Sequence, residues 1–279
     1  MEPVLINLQE YEYSGEGANG TSYNHRTDES VMLKLYNESA PYGAIVAELE
    51  AAHKVWATGI ATPRPGEMVT DGEGRFGIRF KRITNKKSFA RAVGDDPEHV
   101  EDYARRFARM CIGLHSTHLP EGEFKDIKQI DLELLESNPY FTESEKARLA
   151  AFIKAVPDAD TAIHGDLQFG NAIFGDGGEF FIDLGDFACG SPLFDLGMVL
   201  LTCKYDGEDF LREVFHMEPD TAGKFWYFFA KEYWGEDCDP DEMDRKLRPF
   251  AGLKTLIIER DARTYFPHFH ALLAEVLQG

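Results

Sequence analysis

Ile163-His164-Gly165-Asp166-Leu167-Gln168-Phe169-Gly170-Asn171-Ala172-Ile173-Phe174, followed by Phe180-Phe181-Ile182-Asp183-Leu184-Gly185-Asp186, is the stretch that decides the fold. A short apolar strand delivers Asp166 into a loop, and Asn171 follows five residues later. A turn at residues 175–178 and a second apolar strand then deliver Asp183, twelve residues beyond Asn171. A lone His-Gly-Asp or Asp-Leu-Gly-Asp is usually a solvated turn. The ordered combination is not, because it supplies one carboxylate on a loop and two hard oxygen donors carried by a hairpin.

Those are the parts that phosphoryl transfer requires. A carboxylate must orient the attacking hydroxyl and take its proton, and Asp166 is placed for that. Hard oxygen ligands must hold Mg²⁺ on a triphosphate, and Asn171 and Asp183 are of that type. The rest of the work is positioning and charge neutralisation. His164 reads as an organiser of the loop, since no metal-ligand partner follows it at helical spacing. Asp186 either approaches the metal or substrate amines or caps the next turn.

HGDLQFGN and IDLGD resemble the catalytic loop and metal-binding motif of the aminoglycoside phosphotransferase and choline kinase superfamily, which shares the protein-kinase fold. The resemblance implies that Asp166 is the catalytic base and that Asn171 and Asp183 bind Mg²⁺. It extends through Ser191-Pro192-Leu193-Phe194-Asp195-Leu196, where it implies that Asp195, at a helix start, supports the catalytic loop. In motif order it spans residues 10–200. The implied cofactors are ATP and Mg²⁺, and the implied acceptor is a hydroxyl on a small molecule.

Upstream, Gly15-Glu16-Gly17-Ala18-Asn19-Gly20 satisfies GxGxxG, but a strand and not a helix comes next. That excludes a dinucleotide-binding turn, and no Gly-Lys-Ser/Thr ending makes a Walker A loop. A glycine-rich hairpin over phosphates fits better, with Gly15, Gly17 and Gly20 as its contacts. Alternation in Val31-Met32-Leu33-Lys34-Leu35-Tyr36 sends Met32, Lys34 and Tyr36 to one face. Beside the glycine loop, Lys34 resembles the kinase lysine that meets the α/β-phosphates. The family spacing implies Glu48 as its partner, with Glu50 as the alternative. Lys81 and Ile83 fall where the family's hinge would meet adenine, although Lys81 and Asn85 depart from the acidic residue and glycine many members carry there.

The flanking pattern gives an α+β, protein-kinase-like two-lobed fold: a β-rich N-lobe over residues 1–83 and a helical C-lobe over 84–279. Helical patterns run over 41–57, 97–118, 142–156, 193–203, 219–233, 241–260 and 262–277, and Thr142-Glu143-Ser144-Glu145 is a capping-box signature. The formal charge of −20 argues against nonspecific nucleic-acid binding and suits cations, including an aminated acceptor. Acceptor contacts are sought among Asp186, Glu232, Glu236, Asp237 and Glu259. Four separated cysteines without a CxxC pair read as reduced thiols. The N-terminus shows no secretory pattern, and no apolar run reaches the ~18 residues of a membrane span. A cytoplasmic protein without membrane attachment is expected. A protein kinase would share the fold, but no Ala-Pro-Glu segment closes an activation loop. A regulatory nucleotide-binding protein and a metal hydrolase remain as rivals.

Overall fold

The computed structural model describes residues 2–17 and 20–278. In chain order the elements are β1 (Val4–Leu5), β2 (Tyr11–Gly17), β3 (Gly20–His25), β4 (Val31–Tyr36), α1 (Tyr42–Ala57), β5 (Pro65–Thr70), β6 (Phe76–Lys81), β7 (Lys87–Ser88), α2 (Phe89–Asp95), α3 (Val100–His115), α4 (Ile127–Ser137) and α5 (Glu143–Ala155). They continue with β8 (Ala162–Ile163), β9 (Ala172–Gly175), β10 (Gly178–Phe181), β11 (Ala188–Cys189), α6 (Leu193–Lys204), α7 (Glu208–Val214), α8 (Pro219–Trp234), α9 (Pro240–Leu253), α10 (Thr255–Ala262), α11 (Pro267–Ala271) and α12 (Ala274–Gln278).

The chain forms two compact units, Met1–Lys87 with Ile173–Gly185, and Ser88–Ala172 with Asp186–Gly279. The expected boundary after Ile83 divides the chain contiguously, whereas the first unit runs on to Lys87 and takes in the β9–β10 hairpin. Local bonds explain that membership. Thr84 Oγ1 and Asn85 Nδ2 both donate to Asp176 Oδ2, at 2.7 and 2.8 Å, and the Phe181 N–H donates to the Ala61 carbonyl at 2.8 Å.

The first unit is a six-stranded sheet in the order β1-β5-β6-β4-β3-β2, antiparallel except where β1 runs parallel to β5. Alternation along β4 sorts its residues as the sequence pattern requires. Leu33 and Leu35 pack with Ile6, Tyr11 and Val69 on one face, and Tyr36 packs with Ile45, Leu49, Met68 and Ile78 on the other. The second of these clusters seats α1 on the sheet, through the apolar positions its helical period lines up.

The glycine-rich segment forms the β2–β3 hairpin. β2 stays paired through Gly17, opposite Gly20, with a register shift between Tyr13 and Gly15. Gly15 and Gly17 are therefore strand residues; positions 18 and 19 lie outside the described residues. Gly20 serves close packing: a Cβ there would stand 2.4 Å from the Leu35 carbonyl oxygen and 2.9 Å from the Tyr36 Cα.

The second unit is helical, with α3 packed along α8 and α6 along α9. α6 is apolar nearly all round and is buried from Phe194 to Cys203, as a central helix must be. Phe107, Phe169, Phe225 and Phe229 form an aromatic core with ring centroids 5.2–5.9 Å apart. β8 and β11 pair as a short ribbon, with Ile163 opposite Ala188. The capping box of α5 is present, with both Thr142–Glu145 exchanges made. Two expected helices are broken. The 241–260 pattern stops and restarts at Lys254, and the 262–277 pattern gives only α11 and α12, because Arg263 is left-handed (φ 51°) and Pro267 opens a new helix.

Candidate active site

Within the first unit, β4, α1 and the β9–β10 hairpin surround a cavity of about 390 Å³. Met32, Ile83, Ile173 and Ile182 make it apolar, and Lys34, Glu48 and Asp183 make one part of it charged. That mixture of apolar wall and few convergent polar groups is what a cofactor site offers. Lys34 Nζ donates to Glu48 Oε1 at 2.8 Å, and both side chains are less than a third exposed. Glu50, the alternative partner, is exposed on α1. The Lys34 ammonium also stands 4.9 Å from the centre of the Tyr36 ring. Burial, and then the charge of Glu48, push the Tyr36 hydroxyl well above its ordinary pKa.

Gly15, Lys81 and Ile83 line this cavity. Gly20 does not, since its lack of a side chain is used against β4. Lys81 also departs from the hinge expectation in one respect, because its N–H is already donated to the Arg64 carbonyl at 2.8 Å. Lys86 was not singled out in the sequence but lines the same cavity, where burial and then Arg82 lower its pKa. Asp183 enters the cavity from a left-handed backbone (φ 60°), a conformation that costs a non-glycine residue energy.

In the second unit the Asp166 loop is held by buried charges. Asp195, on the first turn of α6 and fully buried, accepts the N–H of His164 at 2.7 Å and that of Gly165 at 2.9 Å. His115 Nε2 lies 3.2 Å from the same carboxylate, and its Nδ1 meets the Tyr233 hydroxyl at 2.8 Å. Burial opposes ionisation of Asp195, but the His115 bond and the charges of His115, Lys254 and His164 outweigh it and hold the carboxyl below its ordinary pKa. Asp195 thus holds the His164–Gly165 backbone through two hydrogen bonds. Gly165 is left-handed (φ 89°), and a Cβ there would fall 2.1 Å from the Asp186 carbonyl oxygen, so only glycine fits.

Asn171 Nδ2 donates to Asp166 Oδ2 at 2.7 Å and to the Asp166 carbonyl at 3.0 Å. This commits the amide nitrogen and leaves Oδ1 as an oxygen donor. Asp186 forms a long pair with Arg260, 3.7 Å, within the second unit. Asp206 is the residue that the sequence reading passed over: burial and then the charge of Asp166 raise its carboxyl to about 7. Among the described residues no three His, Cys, Asp or Glu side chains cluster as a self-sufficient metal site. Asn171 in the second unit and Asp183 in the first each carry hard oxygen donors, the type of atom that divalent cations take.

Of the other acidic candidates, Asp237 is exposed, and Glu232, Glu236 and Glu259 are committed elsewhere. Glu232 and Glu236 bind Arg105 at 3.1 and 2.7 Å, tying α8 and the segment after it to α3. Glu259 is buried and takes bonds from Asn138, the Phe266 N–H and His270, which tie α10 to the segments around it.

The model of the phosphotransferase enzyme family known as APH matches residues 12–224, well over half of the chain. The chain belongs to the phosphotransferase enzyme family. Comparison with curated proteins finds no match. Among solved structures, this phosphotransferase is similar to the amicoumacin kinase hAmiN in complex with AMP-PNP, Ca²⁺ and Ami, at 16% identity and TM-score 0.58, over 99% of this chain and 89% of that one. It is also similar to ADP-bound aminoglycoside phosphotransferase APH(2'')-Ib, at 18% identity and TM-score 0.57, over 96% and 92%. A choline/ethanolamine kinase family protein from Mesorhizobium loti aligns at 15% identity and TM-score 0.52, over 96% and 85%. These likenesses give the phosphotransferase a kinase-like α+β fold, with the six-stranded sheet and α1 in the first unit and α2–α12 in the second. No helix among the described residues is long and apolar enough to cross a membrane.

Proposed function

We propose that this phosphotransferase is an ATP- and Mg²⁺-dependent small-molecule kinase that moves the γ-phosphate to an acceptor hydroxyl. The observation that carries the reading is the gathering of Lys34, its partner Glu48 and the carboxylate of Asp183 around one apolar cavity. We assign nucleotide binding to the first unit and the acceptor to the second. Lys34, held by Glu48, meets the phosphates; Ile83 lies beside the base; Asp183 and the Oδ1 of Asn171 are the metal ligands. Bound Mg²⁺ supplies charge neutralisation at the transferring group. Asp166, held by Asn171 Nδ2, orients the hydroxyl and takes its proton, while Asp195 and His164 keep the loop in place.

An acceptor carrying an amine suits this chain, because Asp206 sets a second carboxylate beside Asp166 and the whole chain is acidic. Amino sugars and aminoalcohols head the acceptor classes, with sugars next, and the kinases of known structure above are named for amino compounds. A cytoplasmic setting, where ATP is available, goes with the reading. Calorimetric titration with Mg-ATP tests the nucleotide half: binding is expected for the unaltered chain and a loss of about tenfold or more for Lys34→Ala and Asp183→Ala. Equal binding by all three proteins would overturn it.

A further inference from the structure

Lys254 is the single residue between α9 and α10. The break comes where the helical pattern of the sequence runs straight through, and the Lys254 N–H closes a tightened turn onto the Ala251 carbonyl at 3.2 Å. A lysine at a helix junction ordinarily extends its ammonium to water. This one is 4% exposed, and its Nζ donates to the Gly165 carbonyl at 2.9 Å. Among the described residues no carboxylate pairs with it directly. Asp131, buried on α4, and Asp195, buried on α6, feel its charge at longer range.

Burying an ammonium is costly unless the geometry uses it. The use is visible at Gly165. Its N–H is held by Asp195 and its carbonyl by Lys254, so the peptide groups on both sides of the Gly165 Cα are gripped by buried charges of the matching sign. The carbonyl held by Lys254 belongs to the peptide whose N–H is that of Asp166. Less than two turns along α10, Arg260 pairs with Asp186, whose backbone packs against the Gly165 Cα. α10 therefore touches this loop at one end through Lys254 and at the other through Asp186.

We propose that Lys254 is a positioning residue for phosphoryl transfer, its buried ammonium fixing the Gly165–Asp166 peptide so that the Asp166 carboxylate meets the acceptor hydroxyl. The inference rests on the reading of Asp166 as the base. Lys254 touches neither nucleotide nor acceptor, so its loss acts on the rate of transfer and leaves nucleotide affinity alone.

The test uses Lys254→Met in the full chain, since methionine fills the space of the stem without the charge. Two readouts are needed: hydrogen exchange of the amides over residues 164–171, and steady-state ADP release from Mg-ATP with water, choline, kanamycin and glucose as acceptors. The expected result is exchange of the loop roughly tenfold faster with α6 and α8 still protected, because one charged hydrogen bond is gone. The rate should fall about 100-fold with KM for ATP within about twofold. A rate within about twofold of the unaltered enzyme would overturn the proposal. So would protection lost evenly across the second unit, which marks a scaffold residue only. Asp166→Asn is run beside it. If that variant is inactive while Lys254→Met is fully active, the inference alone fails; if Asp166→Asn is active, the base assignment fails and the inference falls with it.

Discussion

Replacing Asp195 by asparagine changes one heavy atom and should dislodge the loop that carries Asp166. The carboxylate accepts from Gly165 on Oδ1 and from both His164 and His115 on Oδ2. An asparagine keeps one acceptor and puts an NH₂ where the other oxygen stood. With its oxygen placed to serve His164 and His115, its nitrogen confronts the Gly165 N–H, which is left buried and without an acceptor. A lost charge-assisted bond of about 1.5–3 kcal/mol, together with a stranded buried donor, gives a cost of about 3 kcal/mol. Relief from burying a carboxylate offsets part of that, so about 2–3 kcal/mol is expected in urea unfolding. For a chain of this size the melting point should fall by about 3–5 °C. The transfer rate should fall further than the folded fraction does, because the loop shifts in molecules that remain folded. Asp195→Asn with an unchanged unfolding midpoint and unchanged exchange at Gly165 would refute the claim that this carboxylate holds the loop.

The remaining predictions concern both units. Glu48→Gln should weaken Mg-ATP binding about tenfold by freeing Lys34, with melting nearly unchanged because the pair is partly exposed; calorimetry reads the first and a thermal scan the second. Gly20→Ala should cost about 1–3 kcal/mol of stability, since a Cβ has no room against Leu35 and Tyr36. Asp131→Asn should stabilise the protein at pH 8 and not at pH 4. Burial raises the Asp131 carboxyl to about 7 against the pull of Lys254, so the folded state binds the extra proton. The stability that goes with that proton is fully present below the unfolded pKa and is lost as pH rises through about 7, at most about 4 kcal/mol. Urea unfolding at the two pH values measures it.

The parts of the molecule legible in the sequence are those where local pattern and tertiary demand coincide. β4 alternates strictly, so Leu33 and Leu35 could be assigned to one face and Lys34 to the other before any contact was known. Thr142 and Glu145 advertise the start of α5 by their own chemistry. The acidic residue opening α6 was legible through family resemblance, and its reason lies in backbone donors some thirty residues earlier in the chain. What escaped was non-local. Lys254 sits in an unbroken helical pattern, which gives no sign of the Gly165 carbonyl that its ammonium meets. Asp206 resembles any loop acid until the fold buries it beside Asp166. Gly20 fits a phosphate-loop motif, yet its missing side chain is used by β4. Glu232, Glu236 and Glu259 looked like acceptor contacts because charge alone does not reveal a partner on another helix.

The proposed transfer from Mg-ATP turns on Asp166 handling the acceptor hydroxyl. The most direct measurement is ADP release from Mg-ATP across aminoalcohols, amino sugars and sugars, with Asp166→Asn run in parallel on the same folded preparations. The account predicts an acceptor-dependent release that falls by about 100-fold or more in Asp166→Asn while Mg-ATP still binds. Equal release by both proteins with the same acceptor would contradict it.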